Sequence, residues 1–229
     1  MSTPTSERAT QFAGALAAYV RDLADFQIYA TIDGDYDHIG ATVADAILQA
    51  NRRYVSFVAP RVRRILDRFP SQRTTTDTLK ILRTVPTFDF LRLNDPARAM
   101  RFEAVLALFM HEGVDTEAEL RDWLRHSDGA TKLRTIQGIG PKTADYFKIL
   151  VGIPESAIDR HLLRFLILAG IEPVGYEDAQ AIINATADHM GVGRAHFDHS
   201  IWQYMSRRAH AAQGTNSSAA AVGAACKAK

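Results

Sequence analysis

The chain has 229 residues, 47% hydrophobic and 9% aromatic, with 27 Lys+Arg against 26 Asp+Glu for a formal charge of +1. That supply of apolar side chains excludes a disordered chain, and a lone cysteine, Cys226, excludes a disulfide framework or a cysteine metal cluster. The length predicts one large or two small domains. No apolar run approaches the roughly 20 residues of a membrane span, and residues 1–10 lack a signal-peptide pattern, so a soluble cytoplasmic protein with no membrane partner is expected.

In chain order, apolar residues recur at helical spacing, beginning with Phe12, Leu16, Tyr19, Val20 and Leu23, and no stretch alternates as a half-buried strand does. The pattern predicts an all-α protein with helices over 7–24, 40–50, 54–68, 76–84, 96–111, 116–126, 130–136, 141–151, 160–169, 176–190 and 194–210. Start signals support three of them: Asp95 before Pro96, Thr116 with Glu119 three residues on, and Asp159 ahead of an apolar run. Breaks are expected around Gly34, Pro70, Gly138 to Pro141, Gly152 to Pro154 and Gly175. Residues 212–229, rich in Ser, Ala and Gly, are expected to be a disordered tail.

Charge is unevenly spread. Residues 1–50 carry 2 basic and 7 acidic side chains, and residues 51–100 carry 11 basic and 4 acidic. The run Arg52, Arg53, Arg61, Arg63, Arg64, Arg68 and Arg73 is either a polyanion footprint or a solvated helix face.

The most informative stretch is Thr135 to Ala144, followed by Ile158 to Arg164. Gly138 and Gly140, separated by one apolar residue between two short helices, permit a tight hairpin whose backbone can approach another molecule. Pro141 suits the first helical position, and the free amides there, with Lys142, form a site suited to phosphate. Such a site holds a nucleic-acid backbone without reading sequence; an ordinary helix–helix turn is the competing reading.

Here the sequence resembles the helix-hairpin-helix (HhH-GPD) DNA glycosylase superfamily, the group of endonuclease III and the adenine-mismatch glycosylases. The family hairpin reads Leu-Pro-Gly-(Val/Ile)-Gly-x-Lys-Thr-Ala, and Ile136 to Ala144 matches it with Gln137 in place of Pro. The family's later Asp-x-His-x-x-Arg is met by Asp159, His161 and Arg164, 17 positions separating Lys142 from Asp159, about one fewer than is commonest. Weaker similarity runs through 44–49 and 196–202, so that the resemblance covers roughly residues 38–210. The four cluster cysteines of many relatives are absent, which implies a branch without the iron-sulfur cluster.

The resemblance implies a two-lobed all-α fold with the active cleft between lobes. A helical-bundle lobe over 37–152 would end in the hairpin, and 1–36 with 153–211 would form a second lobe carrying Asp159. The implied function is removal of a damaged, mismatched or modified base, flipped out of double-stranded DNA, with associated abasic-site lyase activity, by a monomer associated with the nucleoid. A monofunctional glycosylase, or a catalytically silent DNA-binding protein, are the alternatives. No cofactor is required; Na⁺ or K⁺ on the main-chain carbonyls of Ile136 and Ile139 is an implied ligand.

Breaking an N-glycosidic bond builds positive charge on the sugar, which a fixed carboxylate such as Asp159 stabilises; alternatively Asp159 is only a helix cap. Lys142 is a phosphate contact or, as in bifunctional members, a Schiff-base nucleophile. Gly138, Gly140, Lys142, Gln49, Asn51, Arg52 and Arg53 are the candidate DNA contacts, with Gln49 filling the gap left by the extruded base. Asp45 shares a helix face with Gln49 and stands where the adenine-removing branch has a carboxylate that protonates the base, although a surface Asp is the simpler expectation. His38 and Tyr29, with Tyr36, Phe26 and Trp202, are candidate base-pocket residues or core. His161 and Arg164 are expected to support the Asp159 loop, and His111 and His126 follow no metal-ligand spacing.

Overall fold

The structure is a computed structural model that describes residues 4–50, 52–126 and 128–208. Among these every regular element is helical, and no strand occurs. Helix α1 spans Pro4–Asp22, α2 Ile39–Leu48, α3 Ala59–Arg68, α4 Thr75–Leu82, α5 Thr87–Leu91 and α6 Pro96–Glu112. They are followed by α7 Glu117–His126, α8 Gly129–Arg134, α9 Pro141–Leu150, α10 Arg160–Leu168 and α11 Tyr176–Met190, then α12 over 194–208. None of the described helices is long and apolar enough to cross a membrane.

The sequence-encoded start signals act as caps. The Asp95 carboxylate accepts from the Arg98 amide at 3.1 Å with Pro96 in the first turn of α6, and Gly113, at φ 73°, ends that helix. Thr116 and Glu119 make a reciprocal box, each side chain accepting from the other's amide, which settles the entry into α7.

Two elements depart from expectation. Residues 54–58, expected to be α-helical, form one wide π-helical turn in which the Ala59 amide donates to the Tyr54 carbonyl. Pro60 has no amide to donate and its ring crowds the preceding turn, so widening the helix just before it relieves the clash. Helix α5 was not expected. Its five residues are too few to show a period, and it closes on Arg92 in the left-handed conformation, φ 48°.

The chain divides into two compact units, residues 33–157 and residues 1–32 with 158–229. In the 33–157 unit all ten residues of α2 are buried, and α3, α4, α6 and α9 pack around it over Ile39, Val43, Ile47, Phe102, Phe109 and Phe147. In the other unit α1 lies along α11, burying Leu16, Val20, Ile182 and Ile183. Phe26, half-buried, packs there at a tilt against Phe165 and Tyr204, with ring centroids 5.8 and 5.5 Å away, on the edge of that core. The expected tail, 212–229, lies outside the described residues.

Candidate functional site

Within the 33–157 unit, α8 and α9 pack together and the turn between them is the expected hairpin. Gly138 has φ 85°, a conformation that side chains resist, whereas Gly140 is extended (φ −101°) and precedes Pro141. Gly140 has no side chain to cap α9, so the N-cap residue gives the first-turn amides no side-chain acceptor. The place a Cβ would take on Gly138 is filled by the Arg101 guanidinium, whose Nε donates to the Gln137 carbonyl at 2.9 Å. Arg101 is thus a cation at the hairpin that no motif signalled, because it comes from α6, far away in sequence. Ile139 donates its amide to the Ile136 carbonyl at 3.0 Å, which occupies one of that oxygen's two lone pairs.

In the first turn of α9, the Lys142 ammonium lies over the Tyr146 ring, 5.8 Å from its centroid. The Tyr146 hydroxyl in turn donates to Asp45 Oδ1 at 3.2 Å. Asp45 has no exposed surface, which overturns its simpler reading as a surface residue. A carboxyl so enclosed needs partners. Tyr36 supplies its hydroxyl to Oδ2 at 2.6 Å, Tyr54 reaches the same oxygen at 3.2 Å, and the two phenols are 3.2 Å apart. Burial lifts Asp45 to about 6 in spite of the three phenol bonds, which pull the other way, and the Asp33 carboxylate adds to the rise. Burial and the Asp45 charge raise all three tyrosines.

The structure thereby brings Lys142 and Asp45 onto one tyrosine, a link that the sequence does not display. Tyr146, four residues after Lys142, shares its helical face, and that spacing was the available signal. Tyr54 carried none, since it reaches Asp45 through the wide turn before Pro60.

Gln49 is half-buried at the end of α2, and its carbonyl accepts from the Arg52 amide at 3.1 Å. Arg52 and Arg53 are exposed, and Arg52 and Arg61 bracket the Phe57 ring at 4.9 and 3.8 Å. Asn51 lies outside the described residues. His38 is a correction. It is buried, caps α2 by accepting from the Ala41 amide at Nδ1, and pairs Nε2 with the Phe69 carbonyl, so neither ring nitrogen is left to meet a base. Burial depresses its pKa, as this neutral capping role requires.

In the other unit, Asp159 caps α10. Its Oδ1 accepts from the amides of His161 and Leu162 at 2.7 and 3.1 Å, and among the described residues Oδ2 has no hydrogen-bond partner. His161 sets its ring edge-on to Trp202, Trp202 stacks on His199, and His199 meets Tyr29. Tyr29 is therefore half-buried in an aromatic row near the Asp159 cap, its hydroxyl accepting from Arg207 at 3.1 Å. Arg164 is exposed on α10. His111 and His126 make separate contacts, and among the described residues no group of His, Cys, Asp and Glu is arranged to hold a metal ion. A single cysteine cannot supply the four thiolates of an iron-sulfur cluster.

A family model for a domain of unknown function, DUF8548, matches residues 91–206. The chain belongs to the DUF8548 family. The matched segment runs from the end of α5 into α12 and includes the hairpin, Lys142, Tyr146 and Asp159; Asp45, Tyr36, Tyr54 and the arginines of α3 precede it. No curated protein matches the chain.

Proposed function

We propose that the protein is a helix-hairpin-helix DNA glycosylase, with the two-lobed fold of that superfamily, which removes a flipped-out damaged, mismatched or modified base from duplex DNA. The observation that carries this reading is the pairing of the two motifs with fitting local geometry. One is a Gly138–Lys142 turn that leaves the start of α9 uncapped for a phosphate; the other is an Asp159 carboxylate that caps α10 through one oxygen. As the base departs, positive charge grows on the deoxyribose, and the Asp159 carboxylate, fixed by two amides, stabilises it. The amides after Gly140, with Arg101, Gln49, Arg52 and Arg53, hold the strand. The oxygens of Ile136 and Ile139 suit a monovalent cation in the turn, and no other cofactor enters the chemistry.

Lys142 completes the reading in which abasic-site lyase activity accompanies excision: its amine adds to C1′, the resulting imine acidifies C2′, and β-elimination cuts the strand. One contact favours a second reading. The ring face of Tyr146 attracts an ammonium, the species that clamps a phosphate, and a Lys142 with that role belongs to a monofunctional enzyme.

A panel of duplexes, each with one lesion or mismatch, scored separately for abasic sites and strand breaks, tests both. Excision is expected on one of them. Borohydride added during turnover is expected to trap a covalent protein–DNA adduct that Lys142→Gln abolishes. Excision with intact abasic sites and no adduct selects the monofunctional enzyme, and no excision on any duplex refutes the glycosylase.

A further inference from the structure

On the 33–157 unit a groove of about 850 Å³ opens along α3 and α5, lined by Arg64, Arg68 and Arg92 together with Val85, Phe88 and Leu93. Asp89 is the single acid of the lining, and among the described residues no ion pair joins a carboxylate to any of the three guanidiniums. Arg64 donates to the Asp89 main-chain carbonyl at 3.2 Å, and Arg68 lies 5.1 Å from the centre of the Phe69 ring. Cations gathered in this way repel one another, and an anion bound among them relieves that repulsion. Phe88 is 41% exposed beside them, which leaves an aromatic surface open to a ligand. Arg92 closes α5 at φ 48°, where glycine is the least strained residue. The chain holds that strain and gains a cation on the groove.

A row of alternating cations and rings ties this groove to the residues that follow Gln49. Arg52 and Arg61 bracket the Phe57 ring, and Arg61 Nε donates to the Arg92 carbonyl at 3.2 Å. Burial, then the charges of Arg92 and Arg52, lower the Arg61 pKa, as like charges set close together do. We propose that the groove binds single-stranded nucleic acid, with its guanidiniums on the phosphates and Phe88 against an unstacked base. The proposal rests on the nucleic-acid contacts of the base-excision reading and not on its chemistry. A duplex hides the faces of its bases and has no use for an apolar, aromatic lining; a single strand does. An acidic peptide also matches cations beside apolar surface. The row from Arg52 decides for nucleic acid, because it carries the proposed strand contacts into the groove without a break in positive charge. The substrate this arrangement suits is a duplex with a single-stranded flank, an overhang or a displaced flap.

The test is fluorescence anisotropy of the full chain with three probes: a blunt duplex, the same duplex with an oligothymidylate tail of about 12 nucleotides, and that tail alone. The tailed duplex is expected to bind about tenfold or more tighter than the blunt one. Phe88→Ala is expected to lose about tenfold in affinity for the tail, the scale of one base stacked on an aromatic ring. Arg92→Gly relieves the left-handed backbone, so it is expected to keep or raise the melting temperature while flattening the log–log salt slope for the tail by about 0.7. Blunt-duplex affinity is expected to stay at the wild-type value in both variants and to fall in Lys142→Gln. Equal affinity for blunt and tailed duplexes, or a tail bound equally well by both groove variants, overturns the groove and leaves the hairpin reading standing. An acidic, phenylalanine-containing peptide that binds through Arg92 while the tail does not bind overturns it in favour of a protein partner. A chain that binds none of the three probes removes both readings, and tail binding lost in the groove variants without excision on any duplex removes the glycosylase alone.

Discussion

At the scale of the residue, two carboxyl groups of this chain lie in opposite environments. Asp159 accepts two amides and is half-buried, and Asp45 is sealed among phenols. Asn caps a helix about as well as Asp does, so Asp159→Asn is expected to keep its melting temperature while losing about 10²-fold or more of base excision, the scale for one preorganised electrostatic group; a folded variant with normal excision makes Asp159 a cap only. For Asp45 the sign runs the other way from a salt-bridged acid. With a folded pKa of about 6 above the unfolded value of 3.8, the native state binds the proton more tightly. Stability is therefore full below about pH 4, falls as pH rises toward 6, and levels beyond. Two pH units correspond to roughly 3 kcal/mol at most, so the wild type is expected to lose on that order relative to Asp45→Asn between about pH 4 and pH 7. A pH-independent difference in denaturant midpoints means the carboxyl titrates normally.

At the scale of the element, what was legible in the sequence was local. Asp95, Thr116 with Glu119, and Asp159 act within three residues of where they stand, and each caps the helix it announced. The hairpin glycines are local too, since Gly138 needs its left-handed backbone whatever surrounds it. Illegible were the effects of distant partners. Arg101 reaches Gly138 from α6, Tyr54 reaches Asp45 from the π-helical turn, and His38 meets the Phe69 carbonyl at the end of α3, contacts that arise only when separate elements pack. The same hairpin separates stability from binding. Gly140 is extended, and a Cβ there meets nothing within 4 Å, so Gly140→Asp is free to cap α9. The variant is expected to gain roughly a few tenths of a kcal/mol in thermal or denaturant unfolding. Its carboxylate would also occupy the amides proposed to hold a phosphate and repel the strand, so duplex affinity is expected to fall as stability rises. Unchanged affinity would sink the hairpin as a backbone contact.

At the scale of the whole molecule, a formal charge of +1 conceals a division of labour between stretches of chain. The contiguous unit 33–157 holds its own buried core, the hairpin, and the arginines of the 52–73 run, of which Arg52, Arg53, Arg63, Arg68 and Arg73 are exposed. Asp159 belongs to the other unit. A chain of about 125 residues with a continuous apolar core is within the size range that folds independently. Residues 33–157 expressed alone are therefore expected to unfold cooperatively and to bind duplex DNA. The affinity should fall with salt at a log–log slope near −0.9 for each phosphate contacted, because neutralised phosphates release their counterions. Reversing Arg63 and Arg68 to Glu in this fragment is expected to flatten the slope by about two if both meet phosphates. Base excision is expected to be absent from the fragment, because Asp159, the carboxylate proposed to stabilise the sugar cation, lies outside it. Salt-independent binding by a folded fragment would remove DNA as the partner, and excision by the fragment would move the chemistry from Asp159 to the Asp45 cluster.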